Sequence, residues 1–302
     1  MLPVVHHPDY LVPLKPGHRF PMSKYGNLRE ALLARRLMPA VGAPRPAPAS
    51  AAQVGLAHDA AYVARVFGQA LAPAEVRRIG LPGSAMLARR ARLASAGTLL
   101  AAWLALEHGL ALNAAGGSHH AGPEGGAGYC VFNDVAVAIR NLMAQGVPGP
   151  VLVIDADVHQ GDGTARVFAA EPGVFTFSIH AERNFPARKA RSDLDIALPD
   201  GTGDEAYLSA LRVGVAQALA ASRPRIVFYN AGVDVWAGDR LGRLALTDAG
   251  IRARDAQVIA AVRGLGIPLA GVLGGGYDDD PRRLAARHAM LFEEAAAYAA
   301  LH

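Results

Sequence analysis

Three compact apolar runs constrain this chain more than any other feature: Val151 to Ile154 (VLVI), Val174 to Ile179 (VFTFSI) and Arg225 to Asn230 (RIVFYN). Such short, nearly continuous apolar segments read as strands covered on both faces, the habit of parallel sheets. A fourth, Pro268 to Leu273 (PLAGVL), follows the helix-like segment Thr247 to Arg263. Asn133 to Gln145 (NDVAVAIRNLMAQ) carries apolar residues at helical spacing, with Asn133 available as an N-cap. Ser84 to Leu112 reads as one or two long, largely buried helices, ended by Asn113, Gly116 and Gly117. Strands separated by helices predict an α/β fold: an open, mostly parallel sheet with helices on both faces. One such domain is expected over residues 1–302.

Composition supports that expectation. At 302 residues, 52% hydrophobic and 19% charged, the chain can bury a large core. Its single cysteine, Cys130, excludes an intramolecular disulfide framework and a cysteine-only zinc finger, so a reducing, cytoplasmic setting is expected. The first ten residues (MLPVVHHPDY) lack a basic start followed by an apolar core, and the apolar run Leu99 to Leu106 stops at Glu107 and His108. Neither a signal peptide nor a membrane span is therefore predicted. The net charge of +4 is spread over scattered arginines, which weighs against nucleic acid as the main partner. Met38 to Ala52, rich in Pro and Ala, reads as an extended connection or surface loop rather than a domain linker. No feature specifies an oligomer.

Ligands in open parallel sheets bind past the carboxyl ends of the strands, and the unusual polar residues sit there. After VLVI comes Asp155-Ala156-Asp157-Val158-His159-Gln160-Gly161-Asp162, after RIVFYN comes Ala231-Gly232-Val233-Asp234, and after PLAGVL comes Gly274-Gly275-Gly276-Tyr277-Asp278. While the chain stays extended, Asp155, Asp157 and His159 point to one side, since strand side chains alternate. A glycine-rich segment containing Ser118, His119 and His120 precedes the Asn133 helix. Five carboxylates, three histidines and a tyrosine are thus expected on one rim.

Singly, an Asp that ends a strand is an N-cap or turn residue, a histidine pair is surface or hydrogen-bonded core, and a triple glycine is a tight turn. Together these readings fail, because buried carboxylates on adjacent strand ends repel one another unless a cation lies between them. Asp157, His159 and Asp234 supply oxygen and nitrogen ligands with a charge of minus two, suited to a divalent metal with positions left open. His119 and His120 then serve as proton-transfer groups, with Asp155 and Asp162 as the carboxylates left to orient them. Tyr277, on its glycine hinge, is a neutral donor to an oxyanion. Metal-assisted hydrolysis of an amide is the chemistry such a set performs. Ser118 lacks the GxSxG elbow of a serine hydrolase.

The segments GGSHHAGPEGGAGYCVFNDVAVAI, VLVIDADVHQGDGT, FSIH, YNAGVDVWAGDRLG and LGGGYDDD resemble, in order and spacing, the motifs of the zinc-dependent histone deacetylase superfamily, from about His6 to Phe292. DADVHQGDGT and NAGVDVWAGDRLG most resemble its class IV branch. The resemblance implies an arginase/deacetylase-like fold and one zinc ion per chain on Asp157, His159 and Asp234. It implies His119 as general base and His120 as an electrostatic or proton-donating partner, with Asp155 and Asp162 as their respective carboxylates. Tyr277 falls on the carbonyl-polarising position. A monovalent cation such as potassium maps onto Asp155, Asp157, His159, Ser178 and Ile179, largely through main-chain oxygens. The acyl-lysine tunnel maps onto Tyr129 and Phe185 with Gly128, Gly275 and Gly276; Tyr129 stands where the family commonly has phenylalanine.

The implied substrate is an acylated lysine of a protein or a small acylated amine, including an acylpolyamine. The class IV likeness adds long-chain acyl groups to acetyl. Two other readings are an acyl-binding module without turnover and a dimanganese ureohydrolase. The first conflicts with every catalytic position being filled, and the second with the D-x-D-x-H run and the lack of a DxDxxDP motif after Val233.

Overall fold

The computed structural model describes residues 2–147 and 149–301. Seven strands form one all-parallel sheet: β1 (Val4–Val5), β2 (Leu110–Asn113), β3 (Val151–Asp155), β4 (Val174–Ala181), β5 (Leu194–Leu198), β6 (Ile226–Asn230) and β7 (Leu269–Val272). Their spatial order is β1-β2-β7-β6-β3-β4-β5. The helices are α1 (Lys24–Ala34), α2 (Ala51–Gly55), α3 (Ala60–Phe67), α4 (Pro73–Ile79), α5 (Ala85–His108), α6 (Asp134–Ala144), α7 (Asp162–Phe168), α8 (Asp204–Ser222), α9 (Asp248–Arg263) and α10 (Pro281–Leu301). β2, β3, β6 and β7 are buried at every position, as expected for parallel strands with covered faces.

The four apolar runs become β3, β4, β6 and β7, and three further strands join them. β2 corrects the reading of Ser84 to Leu112 as helix throughout. α5 opens at Ser84, whose side chain accepts from Leu87 N, and closes at Gly109, where φ is +84°, so that Leu110 onward runs extended beside β7. Nothing in the composition of Leu-Ala-Leu-Asn marks that change, because the strand is as apolar as the helix before it. β1 has only two residues, and β5 alternates exposed and half-buried positions at the sheet edge, which leaves little pattern to read.

α6 begins as predicted at Asn133, whose Oδ1 accepts from Ala136 N at 2.9 Å. Asn133 is fully buried because its amide also donates to Ala121 O and Thr164 Oγ1, tying the glycine-rich segment to α7. No helix among the described residues is long and apolar enough to cross a membrane.

Candidate active site

The register of the sheet builds the site. Asp155, the last residue of β3, lies opposite Asn230 of β6 on one side and Ser178 of β4 on the other. The segments after β3, β6 and β7 therefore leave the sheet at one edge. There Asp157, His159 and Asp234 each offer a ligand atom, all within 4.8 Å of one another and all buried. His159 Nδ1 stands 3.0 Å from Asp157 Oδ1 and 3.2 Å from Asp234 Oδ2.

The electrostatics are those of a site short of positive charge. Burial pushes the Asp234 carboxyl up, and the Asp157 charge pushes it further. For His159, burial works downward, but hydrogen bonds to Asp157 and Asp234 outweigh it and raise the imidazole to about 10. Two buried carboxylates thus draw a proton onto the histidine between them, and a divalent cation would answer both charges through the same atoms. The donor set fits zinc, with two oxygens, one imidazole nitrogen and positions left for water and substrate.

His119 and His120 stand beside this cluster with ring centroids 4.1 Å apart. His119 Nδ1 pairs with Asp155 Oδ2 at 2.8 Å, and His120 Nδ1 with Asp162 Oδ1 at 2.6 Å. His119 Nε2 lies 3.7 Å from Asp157 Oδ1. Burial opposes a charge on either ring. For His119, the carboxylates of Asp155 and Asp157 prevail and raise it to about 9; for His120, burial and the His119 charge prevail over Asp162 and lower it to about 3. One imidazole is basic and its neighbour stays neutral.

Tyr277 is buried with its ring edge-on to His159, centroids 6.5 Å apart. Burial and the charges of Asp234 and Asp157 hold its phenol far above the ordinary range, so it is a neutral donor. The backbone fixes it: Tyr277 N donates to Asp239 Oδ2 at 2.6 Å, and Tyr277 O accepts from Arg240 N at 3.0 Å. The preceding glycines answer a packing demand. Gly275 N donates to Asp157 Oδ2 at 2.6 Å, and a Cβ at Gly275 would strike Asp234 Oδ2, so only glycine lets the chain pass this close.

Two recesses meet at the cluster, sharing His120, Gly128, Tyr129, His159 and Tyr277. The inner one, of about 30 Å³, is lined by Gly275 and reaches Phe20, Tyr25 and Arg90. The outer one, of about 400 Å³, opens past Phe185 and Leu241 to Arg77 and Arg78. The Phe185 ring packs edge-on to His120 at 4.8 Å, and Tyr129 lies 5.9 Å from Tyr277. Tyr129 is held at φ +66°, a strained value for a non-glycine residue, by donating its N–H to Ile79 O at 2.6 Å. Gly128 N donates likewise to Arg78 O.

Two expectations need correction. Gly276 does not line either recess: a Cβ there would meet Val233, Leu284 and His288 in the core. Asp278 leaves the rim and pairs with Arg283 and Arg287, whose guanidinium groups hold its carboxyl well below the usual range. Four carboxylates, not five, converge. Ser178 and Ile179 run beside the end of β3, and Ser178 Oγ engages His180 Nδ1 and Gly161 N.

Other positioning residues escaped the sequence reading. Asn230 donates to Asp155 Oδ1 at 2.9 Å from the neighbouring strand. Asp134, in the first turn of α6, accepts from Gly117 N, Ser118 N and the Thr98 hydroxyl, which sets the histidine segment. Asp239 accepts from three backbone N–H groups, and burial with the Asp234 charge raises it to about 7. Lys24, fully buried, donates to Gly274 O. Asn230, as the polar end of an apolar run, was the one with a readable signal.

A histone deacetylase domain model matches residues 18–292 of this chain. An uncharacterized protein of Picosynechococcus sp. is 45% identical over 97% of this chain and 98% of its own length. Histone deacetylase 2 of Arabidopsis thaliana is 35% identical over 63% of this chain; the match spans 50% of that longer relative. Among solved structures, the HDA15 HD domain superposes with a TM-score of 0.78 at 22% identity, covering 97% of this chain and 90% of that one, a likeness of fold.

Proposed function

Because the chain belongs to the histone deacetylase family, we propose that it is a zinc-dependent deacylase that hydrolyses the amide of an acylated lysine or related amine, with residues 1–302 acting as one catalytic domain. The observation that carries this reading is the convergence of Asp157, His159 and Asp234 with the His119–Asp155 pair under Tyr277, at the junction of the two recesses. Asp157, His159 and Asp234 would hold one zinc ion per chain. When bound, such an ion polarises the amide carbonyl and acidifies water.

The protein's own groups do the rest. The outer recess takes the acylated side chain between Tyr129 and Phe185, and closes out water. With a cation answering the Asp157 charge that helps to raise it, His119, oriented through Nδ1 by Asp155, would be neutral and receive the proton of the attacking water at Nε2. The Tyr277 hydroxyl donates to the oxygen on which negative charge develops. His119 then returns its proton to the departing amine, leaving a carboxylate and a free amine. His120 stays neutral beside it and keeps its Nδ1 on Asp162. Asp155, Asp157 and His159, with Ser178 and Ile179, are proposed to hold potassium through main-chain oxygens. The class IV likeness extends the acyl range to long chains.

Zinc-loaded protein is expected to turn over fluorogenic acyl-lysines from acetyl to long-chain acyl groups, to lose activity on chelation, and to regain it on adding one equivalent of zinc. Activity that survives complete chelation would overturn the metal assignment.

The acid side of the pH–rate profile tests His119. An ionised Asp155 favours the imidazolium, so it raises the histidine's pKa and strengthens it as a base. Asp155→Asn removes that charge. The acid limb of kcat/KM is expected to move to lower pH with a lower plateau, measured at saturating potassium. A limb that moves in Asp162→Asn but not in Asp155→Asn would reverse the assignment of the two histidines.

A further inference from the structure

The last turn of α4 ends at the mouth of the outer recess, where Arg77 and Arg78 line it opposite Phe185 and Leu241. Both arginines are exposed, and neither has a carboxylate oxygen within 4.0 Å among the described residues. Among the described residues, Arg78 spends only its Nε, on Gly126 O. The acid on the same helix, Glu75, is taken by Arg65 in a two-point contact and by Ala72 N. Glu124 shares a neighbouring groove with Arg78 but does not line this recess. Asp239, two residues before the lining Leu241, is half-buried, does not line the recess, and is occupied by backbone N–H groups. The segment carrying Phe185, residues 182–191, contains Arg183, Arg188, Lys189 and Arg191 against a single Glu182.

These cations are not on a loose surface arm. Arg78 O and Ile79 O accept from Gly128 N and Tyr129 N, so the turn bearing the arginines and the aromatic wall of the recess are one hydrogen-bonded piece. An acylated lysine that reaches the cluster leaves its own backbone, and its flanking residues, at this mouth.

Resting on the deacylase reading, we propose that Arg77 and Arg78 select substrates bearing carboxylates next to the acylated amine, and reject polycationic ones. The chemistry is guanidinium–carboxylate pairing at a partly solvated rim. The carboxylate can come from Asp or Glu flanking the acyl-lysine, or from the α-carboxylate of a free Nε-acyl-lysine. Acylpolyamines and lysine-rich peptides would bring like charge to the same place.

The test compares acetyl-lysine peptides that differ only in flanking Asp, Ser or Lys residues, together with free Nε-acetyl-lysine and an acetylpolyamine. Turnover by zinc-loaded protein is followed at low and high salt, and binding of fluorescently labelled peptides is followed by anisotropy. The Asp-flanked peptide is expected to exceed the Lys-flanked one about tenfold in kcat/KM and in affinity at low salt, with the ratio shrinking as salt screens the pairs. Arg77→Glu, at an exposed position with no partner to lose, should erase or invert the ratio, and the Arg77→Glu/Arg78→Glu double variant should do so further. Free acetyl-lysine performing as well as the Asp-flanked peptide assigns the α-carboxylate as the recognised group. Equal handling of Asp- and Lys-flanked peptides, or a preference for the polyamine, would overturn the proposal. Tight, salt-sensitive binding of the acidic peptide without turnover would uphold the rim and overturn the deacylase reading instead.

Discussion

Replacing Asp234 with alanine is expected to lower zinc content from one per chain to nearly none and to take activity with it. Asp234 offers one of the three candidate ligand atoms that lie together among the described residues, and its side chain is fully buried. Changes to groups that merely support metal ligands cost about 10- to 100-fold in affinity, so loss of a ligand should cost at least about 100-fold. The fold itself should survive, because Asp157 and Asp234 oppose each other's charge and the variant relieves that opposition. Asp234→Asn is the companion: it can keep the 3.0 Å hydrogen bond from Val158 N while removing the charge. Metal analysis after gel filtration, with a thermal melt in chelator, separates the two effects. Full zinc content with normal turnover in Asp234→Ala would remove this residue from the ligand set.

Tyr277→Phe is expected to reduce kcat by about a hundredfold to a thousandfold, the usual cost of one oxyanion donor. The substitution is clean for a structural reason. The hydroxyl has no hydrogen-bond partner among the described residues, while the backbone of Tyr277 is fixed from both sides by Asp239 and Arg240. Deleting the oxygen therefore breaks nothing inside the protein. Zinc content and melting temperature should match the parent. A variant within about threefold of the parent in kcat would show that Tyr277 is not the carbonyl donor, or that a step other than chemistry limits turnover.

Both predictions concern residues legible in the sequence, and the reason is geometric. A parallel sheet delivers the carboxyl ends of its strands to one edge, so Asp157, His159, Asp234 and Tyr277 could be grouped from their positions after apolar runs. What escaped depends on contacts that no run of residues announces. Asp278 follows Tyr277 directly, yet the turn that starts α10 carries it to Arg283 and Arg287. Asp134 stands in the first turn of α6, yet its carboxylate points back at Gly117 and Ser118. Arg77 and Arg78 sit far from every motif and reach the recess only because Ile79 O binds the Tyr129 backbone. β2 was hidden for the opposite reason: its residues are as apolar as the helix before it, and only the left-handed Gly109 marks the boundary.

The place of β7 in the sheet sets an order of assembly. β7 is the last strand among the described residues, yet it lies between β2 and β6. Until residues 269–272 leave the ribosome, the sheet exists at most as two pieces, β1–β2 on one side and β6-β3-β4-β5 on the other, with bare hydrogen-bonding edges facing each other. Closure waits on pairings between positions as far apart as Leu110 and Leu269, and such distant pairings are slow to form. The cluster gains its full frame only after that closing strand, since Gly275 and Tyr277 arrive a few residues later. A nascent chain of this protein therefore carries Asp157, His159 and Asp234 before it has the strand that completes the frame around them.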